Sequence, residues 1–306
     1  MGWRKPPHRC LNARTARRAP PSAPRLANPI PHAASLGAAS TSVVPQDWRN
    51  RVQGLDHGHP ILRKSTSDNA AGEPFMDSIT IQATDGGTFT AFYAAPDRPT
   101  AGSVVLIQEI FGVNDSMKET AREVAAQGFH VLVPDLFWRL QPGVDLTDKS
   151  DAEWQEAMRL MKAFNQNAGV RDLKATLAIA RTLPGANGRA GTMGYCLGGR
   201  LAVMMAVDSD ADVNVSYYGV GLDDLIPKFL DVKTPLLMHI ADKDNFFPAE
   251  GRAKVVDAAK ANPHLHAYVY PDADHAFARV GGTHFQARAA TIANGRSAEA
   301  LANALG

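Results

Sequence analysis

Short apolar runs alternate with helix-like stretches from about residue 77 to the C-terminus. The first two runs, 78–83 and Thr88–Ala94, flank the turn sequence Asp85-Gly86-Gly87. Runs of this kind on either side of a glycine-containing turn are typical of two paired antiparallel strands. The pattern therefore predicts an opening β-hairpin.

The rest of this region predicts strands and helices in alternation. Ser103–Ile107 (SVVLI) is a short apolar run, as a strand buried on both faces requires. The helical stretch 115–127 has Asn114 or Asp115 as its N-cap and ends at Gly128. Alternation of this kind predicts an α/β fold: a mostly parallel sheet with helices on both faces and ligand sites at the carboxyl ends of the strands. The other predicted strands are 130–133, 190–193, 213–217, 236–240 and 265–270, and the other predicted helices are 151–164, 170–183, 197–207, 249–261 and one from about 283.

Residues 1–75 have a different character. They are rich in Pro, Ala, Ser and Arg, show no sustained period, and hold five prolines between Pro20 and Pro31. Such a segment cannot bury enough apolar surface to offset the entropy of ordering, so we expect a disordered extension before a single folded domain at 76–306. Three explanations remain open: translation that begins near Met76, a processed or regulatory tail, and an organellar transit peptide.

Charge and composition narrow the function classes. The whole chain has a net charge of +1, but the first 46 residues carry seven basic and no acidic groups, so the remaining 260 carry a net charge of −6. This balance argues against a nucleic-acid partner. The sequence lacks the apolar core of a secretory signal and any run of about 18 apolar residues, so we also expect no membrane association and a cytoplasmic protein. The only cysteines, Cys10 and Cys196, lie in segments of unlike character, which argues against a disulfide.

Nothing in the sequence suggests a metal or a cofactor. No glycine-rich nucleotide motif follows the first strand of a strand–helix–strand unit, and the histidines are not grouped with Cys, Asp or Glu at ligand spacing. We therefore expect neither.

The strongest chemical signal is the segment Gly194-Tyr-Cys196-Leu-Gly198 between a predicted strand and a predicted helix. It has the G-x-C-x-G form of a nucleophile elbow, with cysteine in place of serine. The elbow would raise the Cys196 sulfur above the sheet at a helix N-terminus, where partial positive charge favours the thiolate. The alternative interpretation is an inert buried cysteine, but the two glycines of the motif argue against it.

An acid and a histidine follow the nucleophile in the chain order that this scaffold uses. Asp244 lies after strand 236–240, and His275 lies after strand Leu265–Tyr270. His275 would orient the thiol and protonate the leaving group, and Asp244 would hold the histidine tautomer. Asp242 is the alternative acid.

A second acid, Glu109, follows the first buried parallel strand, in the loop that supplies one oxyanion-hole amide in α/β hydrolases. In the apolar setting of Ile110 and Phe111, a carboxylate beside the thiol could exchange a proton with it. The alternative is a plain surface glutamate.

These residues resemble the dienelactone hydrolase family of α/β hydrolases, over about 230 residues from Met76. The resemblance implies a Cys196–Asp244–His275 triad, with Glu109 next to the nucleophile and no cofactor. It further implies that a thiolate opens a lactone whose enolate departs easily, and that Glu109 takes the thiol proton when substrate binds. It places the oxyanion donors on the backbone N–H groups of Leu197 and Ile110. The segments that carry it are DGGTFTAF, QEIFGVN, VPDL, AFNQNAGVRDL, GYCLGG, YYGVGL, DNFFP and HAFAR.

The anion-binding pattern of the family is only partly present. The position of one of the family's two arginines is occupied by Arg279 in this chain. The position of the other is occupied by Trp154, and Met158 occupies the position of a family tyrosine in the same helix. Phe111 and Tyr218 are further candidate substrate-binding residues. Arg139, Lys149 and Arg159 are candidate substitutes for the lost arginine.

The sequence thus predicts a monomeric enzyme that opens a small lactone of the dienelactone type through a thioester. A carboxylesterase or another lactonase with a larger apolar pocket is the first alternative, suggested by Trp154 and Met158. A non-catalytic, redox-sensing thiol protein is the second. The expected partner is a small-molecule lactone or ester.

Overall fold

The computed structural model of the chain describes residues 78–97 and 102–306. Eight strands and six α-helices form in this part, together with one 3₁₀ segment at Leu222–Asp231. The strands are β1 Ser78–Gln82, β2 Thr88–Ala94, β3 Ser103–Ile107, β4 His130–Pro134, β5 Ala190–Tyr195, β6 Asn214–Tyr217, β7 Leu236–Ala241 and β8 Leu265–Tyr270. The helices are α1 Asp115–Ala125, α2 Asp151–Ala163, α3 Gln166–Arg181, α4 Leu197–Asp208, α5 Ala249–Ala259 and α6 Ala287–Leu305.

The strands form one sheet in the order β1-β2-β4-β3-β5-β6-β7-β8. The hairpin β1–β2 is antiparallel and pairs antiparallel with β4, and every pair from β4 to β8 is parallel. Strands β3, β4 and β7 are buried along their whole length, which explains why their sequences are largely apolar. The predicted α/β fold is confirmed.

Helices cover both faces of the sheet. Ser103 and Ala190 are register partners on β3 and β5, and the Ser103 hydroxyl donates to the Ala180 carbonyl of α3. A Cβ added to Gly191, the next residue along β5, would point to the opposite face and meet Leu305 of α6. Two helix groups therefore enclose β3 and β5, and they hold the carboxyl ends of these strands in fixed positions.

Two predicted helix starts were wrong, and one segment was missed. Helix α3 begins at Gln166, four residues earlier than predicted, because the Asn165 side chain accepts a hydrogen bond from the Ala168 N–H and caps it. Helix α6 begins at Ala287 instead of about residue 283, because the Gln286 N–H donates to the Phe277 carbonyl. The 3₁₀ segment was not predicted, and it contains Pro227, which disrupts a helical pattern.

Several predictions lie outside the described residues. They concern the disordered extension at 1–75, a translation start near Met76, and Cys10. In the part of the chain that the structure describes, no helix is both long enough and apolar enough to cross a bilayer.

Candidate active site

Cys196 lies on a sharp turn between β5 and α4. Its backbone has φ 55° and ψ −114°, and its N–H donates to the Tyr217 carbonyl at 3.0 Å. A Cβ on Gly194 would lie 2.1 Å from the Gly198 carbonyl oxygen, and a Cβ on Gly198 would lie 2.3 Å from the Ile107 carbonyl oxygen. Only glycines fit these positions, and a residue strained in the left-handed region is a feature that clusters at functional sites.

His275 and Asp244 meet beyond the ends of β8 and β7. The His275 Nδ1 lies 2.8 Å from Asp244 Oδ2, while Asp244 Oδ1 accepts the Phe246 N–H at 2.8 Å. Both carboxylate oxygens therefore have partners in a buried setting. Arg252 of α5 fixes this loop by donating to the Asp244 carbonyl at 2.8 Å. The alternative acid, Asp242, instead pairs with Lys243.

The environment of His275 favours its charged form. Burial alone would lower the pKa of the imidazole, but the Cys196 charge, together with the hydrogen bond and charge of Asp244, outweighs burial and raises the pKa of His275 to about 10. A histidine in such a setting can hold a proton beside a thiolate and can donate it to a leaving group.

A cavity of about 270 Å³ contains Cys196 and His275 in its wall. Its volume suits a small molecule, close to the lower end of typical ligand sites. The other lining residues are Ile110, Phe111, Asp148, Trp154, Asn245, Phe246, Asp274, Ala276, Arg279, Thr283 and His284.

Glu109 is buried, and Arg279 binds it with two hydrogen bonds. Arg279 Nε donates to one carboxylate oxygen at 2.8 Å, and Nη2 donates to the other at 3.0 Å. The remaining terminal nitrogen of Arg279 donates to Asp148 at 2.5 Å. Burial of Arg279 opposes its charge, but the Glu109 and Asp148 carboxylates outweigh it and raise the pKa of the guanidinium. Arg279 is thus bound by two carboxylates.

The two predicted oxyanion donors lie on elements in close contact. Leu197 is the first residue of α4, so its N–H has no carbonyl one turn earlier in the helix. Ile110 lines the cavity two residues beyond Gln108, whose carbonyl oxygen would lie 2.6 Å from a Cβ on Gly198. The start of α4 and the loop after β3 are therefore in direct backbone contact.

Trp154 forms part of an aromatic wall of the cavity. The Trp154 ring centroid lies 5.8 Å from that of Phe111 and 6.0 Å from that of Phe246. Phe246 in turn lies 4.9 Å from His275, so the wall reaches the histidine. Such rings supply contact area and no charge.

The other candidates for substrate contact lie elsewhere. Tyr218 is 2% exposed and does not line the cavity; its ring packs 5.0 Å from His275, and its hydroxyl has no hydrogen-bond partner among the described residues. Met158 is exposed on α2, away from the cavity. Arg139 pairs with Asp172 and Asp85, and Arg159 pairs with Glu156. Lys149 lines a neighbouring cavity.

Sequence reasoning missed two acidic residues of the cavity wall. Asp148 lies in a polar loop 131 positions from Arg279, so no spacing connects the two. Asp274 precedes His275 directly, and its side chain accepts the His275 N–H at 2.7 Å and pairs with His284 at 3.0 Å. Of the two, only Asp274 could have been found from the sequence, by its position directly before the candidate histidine.

The described residues contain no group of three or more His, Cys, Asp or Glu side chains arranged to hold a metal ion.

Comparison with known proteins points to one family. Residues 89–305 match the sequence model of the dienelactone hydrolase family. The chain is 49% identical over 234 residues to an Azospirillum brasilense protein provisionally named a carboxymethylenebutenolidase, covering 76% of this chain and 100% of that protein. It is 41% identical over 226 residues to a carboxymethylenebutenolidase of Pseudomonas putida, covering 74% of this chain and 96% of the other. A crystal structure from Klebsiella pneumoniae, provisionally named a dienelactone hydrolase, has a TM-score of 0.64 and 24% identity, and covers 74% of this chain and 98% of that one.

Proposed function

Because this chain belongs to the dienelactone hydrolase family, we propose that it hydrolyses small lactones through a thioester on Cys196. The observation that carries the proposal is the placement of Cys196 and His275 in one cavity wall, with His275 bonded to a buried Asp244. Relatives named carboxymethylenebutenolidases support a lactone of the dienelactone type as the first candidate substrate.

In the first half-reaction, the Cys196 thiolate attacks the lactone carbonyl carbon and a carbon–sulfur bond forms. The carbonyl oxygen becomes negative and accepts hydrogen bonds from the N–H groups of Leu197 and Ile110. The ring carbon–oxygen bond then breaks, and the oxygen leaves as an enolate that takes a proton from His275. The raised pKa of His275 is consistent with a protonated imidazole before this step.

In the second half-reaction, water hydrolyses the thioester. His275, now neutral, accepts a proton from the water, whose oxygen attacks the thioester carbonyl carbon. The carbon–sulfur bond breaks, the acid product leaves, and the proton on His275 again faces the Cys196 thiolate. Asp244 holds the imidazole orientation through both halves, because its bond to Nδ1 leaves Nε2 free for the reacting groups.

Glu109 would act through Arg279. Both Glu109 oxygens are bound to the guanidinium in the resting site. A substrate carboxylate that binds Arg279 would weaken these bonds, and the released Glu109 could then take the proton of a neutral thiol. This release would apply to anionic substrates only; uncharged esters would react with the thiolate that is paired with the protonated His275.

A carboxylesterase is the second candidate, and the aromatic wall favours it. Trp154, Phe111 and Phe246 form a surface that suits an apolar or aromatic ester group. The chemistry of Cys196 would be the same for both candidates, so only the substrate distinguishes them.

The test replaces the nucleophile. Cys196→Ala should abolish turnover of trans-dienelactone and of p-nitrophenyl acetate, while circular dichroism shows the fold of the parent. Mass spectrometry of the parent, quenched during turnover, should detect an acyl group on the peptide that contains Cys196. Appreciable turnover by Cys196→Ala would refute the mechanism.

A further inference from the structure

Arg279, the candidate anchor for a substrate carboxylate, is already shared by two carboxylates. Glu109 occupies Nε and one N–H of Nη2, and Asp148 occupies one N–H of Nη1. A guanidinium has five N–H groups, so one remains on each terminal nitrogen. Two negative charges face one positive charge, and an incoming carboxylate meets a neutralised arginine.

Hydrogen bonds fix the loop that carries Asp148. Its neighbour Thr147 donates its N–H and its hydroxyl to Glu153 of α2, at 3.0 and 2.9 Å. Leu146 donates its N–H to the Phe111 carbonyl at 2.9 Å and accepts from the Asn114 side chain at 2.8 Å. The backbone before Asp148 is therefore fixed on two sides, so its side chain is directed at Arg279 at little entropic cost.

The protonated His275 of the wall does not make up for this neutralisation, because its charge is matched by Asp244 and Cys196. Trp154 carries no charge, and Asp274 adds a further carboxylate that is paired with His284. Asp148 also lines a second cavity of about 290 Å³, so its pair with Arg279 forms part of the boundary between the two cavities. A carboxylate substrate would have to compete with Asp148 at this boundary, whereas an uncharged substrate would not.

We propose that Asp148 is a specificity-determining residue: it competes with substrate carboxylates for Arg279 and shifts the preference of the site toward uncharged lactones and esters. This inference rests on the proposed function, because it concerns substrates of the same cavity. It predicts that removal of the Asp148 charge, with the shape kept, makes Arg279 available to anions.

The kinetic test compares Asp148→Asn with Asp145→Asn. Asp145 lies in the same loop and pairs with Lys118 at 3.1 Å, so its replacement removes the same charge without touching Arg279. The substrates are trans-dienelactone and its methyl ester, which differ only in the carboxylate. Asp148→Asn should raise the ratio of kcat/KM for the acid over the ester by about tenfold or more, as expected when a charge-assisted bond becomes available. Asp145→Asn should leave the ratio within about twofold of the parent.

A binding measurement separates this inference from the cysteine mechanism. In a Cys196→Ala background, isothermal titration calorimetry gives the Kd of benzoate and of uncharged benzamide. Asp148→Asn should tighten benzoate about tenfold and leave benzamide unchanged. Unchanged benzoate affinity, or an equal gain from Asp145→Asn, would overturn the role of Asp148. Turnover that survives in Cys196→Ala would refute the proposed function alone, because the benzoate comparison does not depend on the nucleophile.

Discussion

Gly198 lies where the first turn of α4 meets the end of β3, and an added methyl group there should disable the site without unfolding the protein. A Cβ on Gly198 would lie 2.3 Å from the Ile107 carbonyl oxygen and 2.6 Å from that of Gln108. These atoms belong to the backbone, so no side-chain rotation can relieve the contact. Gly198→Ala must therefore move α4 away from β3.

The size of this movement follows from the contact itself. Cβ atoms essentially never approach other atoms closer than 3.0 Å, so the 2.3 Å separation has to grow by roughly 0.7 Å. Overpacking of this kind costs about 1–3 kcal/mol of stability, which corresponds to a fall of roughly 2–12 °C in Tm for a domain of this size. Leu197 and Ile110, the proposed oxyanion donors, lie on the two elements that separate. A misplacement of about 1 Å can lower the rate by about a hundredfold.

Two measurements check this reasoning, namely kcat for p-nitrophenyl acetate and Tm by calorimetry. Gly295→Ala is the matched control, because Gly295 lies in α6 with no atom within 4 Å of an added Cβ. That change should leave kcat as it is and stabilise the protein by about 0.5–1 kcal/mol, the usual gain from Gly to Ala in a helix. A Gly198→Ala protein with kcat within a fewfold of the parent would show that the close backbone contact does not hold the donors in place.

Two further predictions concern the triad. Cys196→Ser should be a poor enzyme in the same assay, because a thiol is far more acidic than an alcohol; a serine variant as fast as the parent would contradict a site built for a thiolate. Asp244→Asn should lower kcat by several orders of magnitude, given that the corresponding change in a Ser-His-Asp triad costs about 10⁴-fold. It should also flatten the pH dependence of stability: the pKa of His275 is raised from 6.5 to about 10, so its contribution is complete below pH 6.5 and is lost as the pH rises through 10. Urea unfolding of both proteins between pH 6 and 10 should show the smaller decline in the variant.

The strands and the elbow could be predicted from sequence because their causes are local. A strand such as β3, buried on both faces, is apolar at nearly every position, and this leaves a continuous apolar run in the sequence. The tight turn at Cys196 requires glycine at 194 and 198, because other residues would collide with backbone atoms. The 3₁₀ segment Leu222–Asp231 left no such trace, since Pro227 disrupts the periodicity on which a helix prediction depends.

The partners of the predicted side chains could not be read from the sequence, because they come from distant loops. The Asp148–Arg279 pair joins positions 131 residues apart, and Glu109–Arg279 joins positions 170 apart. Arg279 is singled out by its place four residues after His275, yet its availability depends on both acids. The residue type alone suggests that Arg279 is a free cation, whereas in the structure two carboxylates neutralise it.

The triad is positioned by strand ends, whereas Asp148 lies in a loop. This contrast explains how substrate preference can change while the nucleophile stays the same. Cys196, His275 and Asp244 are positioned by strand ends and backbone contacts, so a shift in the position of any of them would require a change in the sheet edge or the elbow. Asp148 lies in a loop, and its side chain is 27% exposed. Its replacement would remove one of the two carboxylates that neutralise Arg279 without altering a strand. Preference between anionic and uncharged substrates can therefore change through a single loop residue.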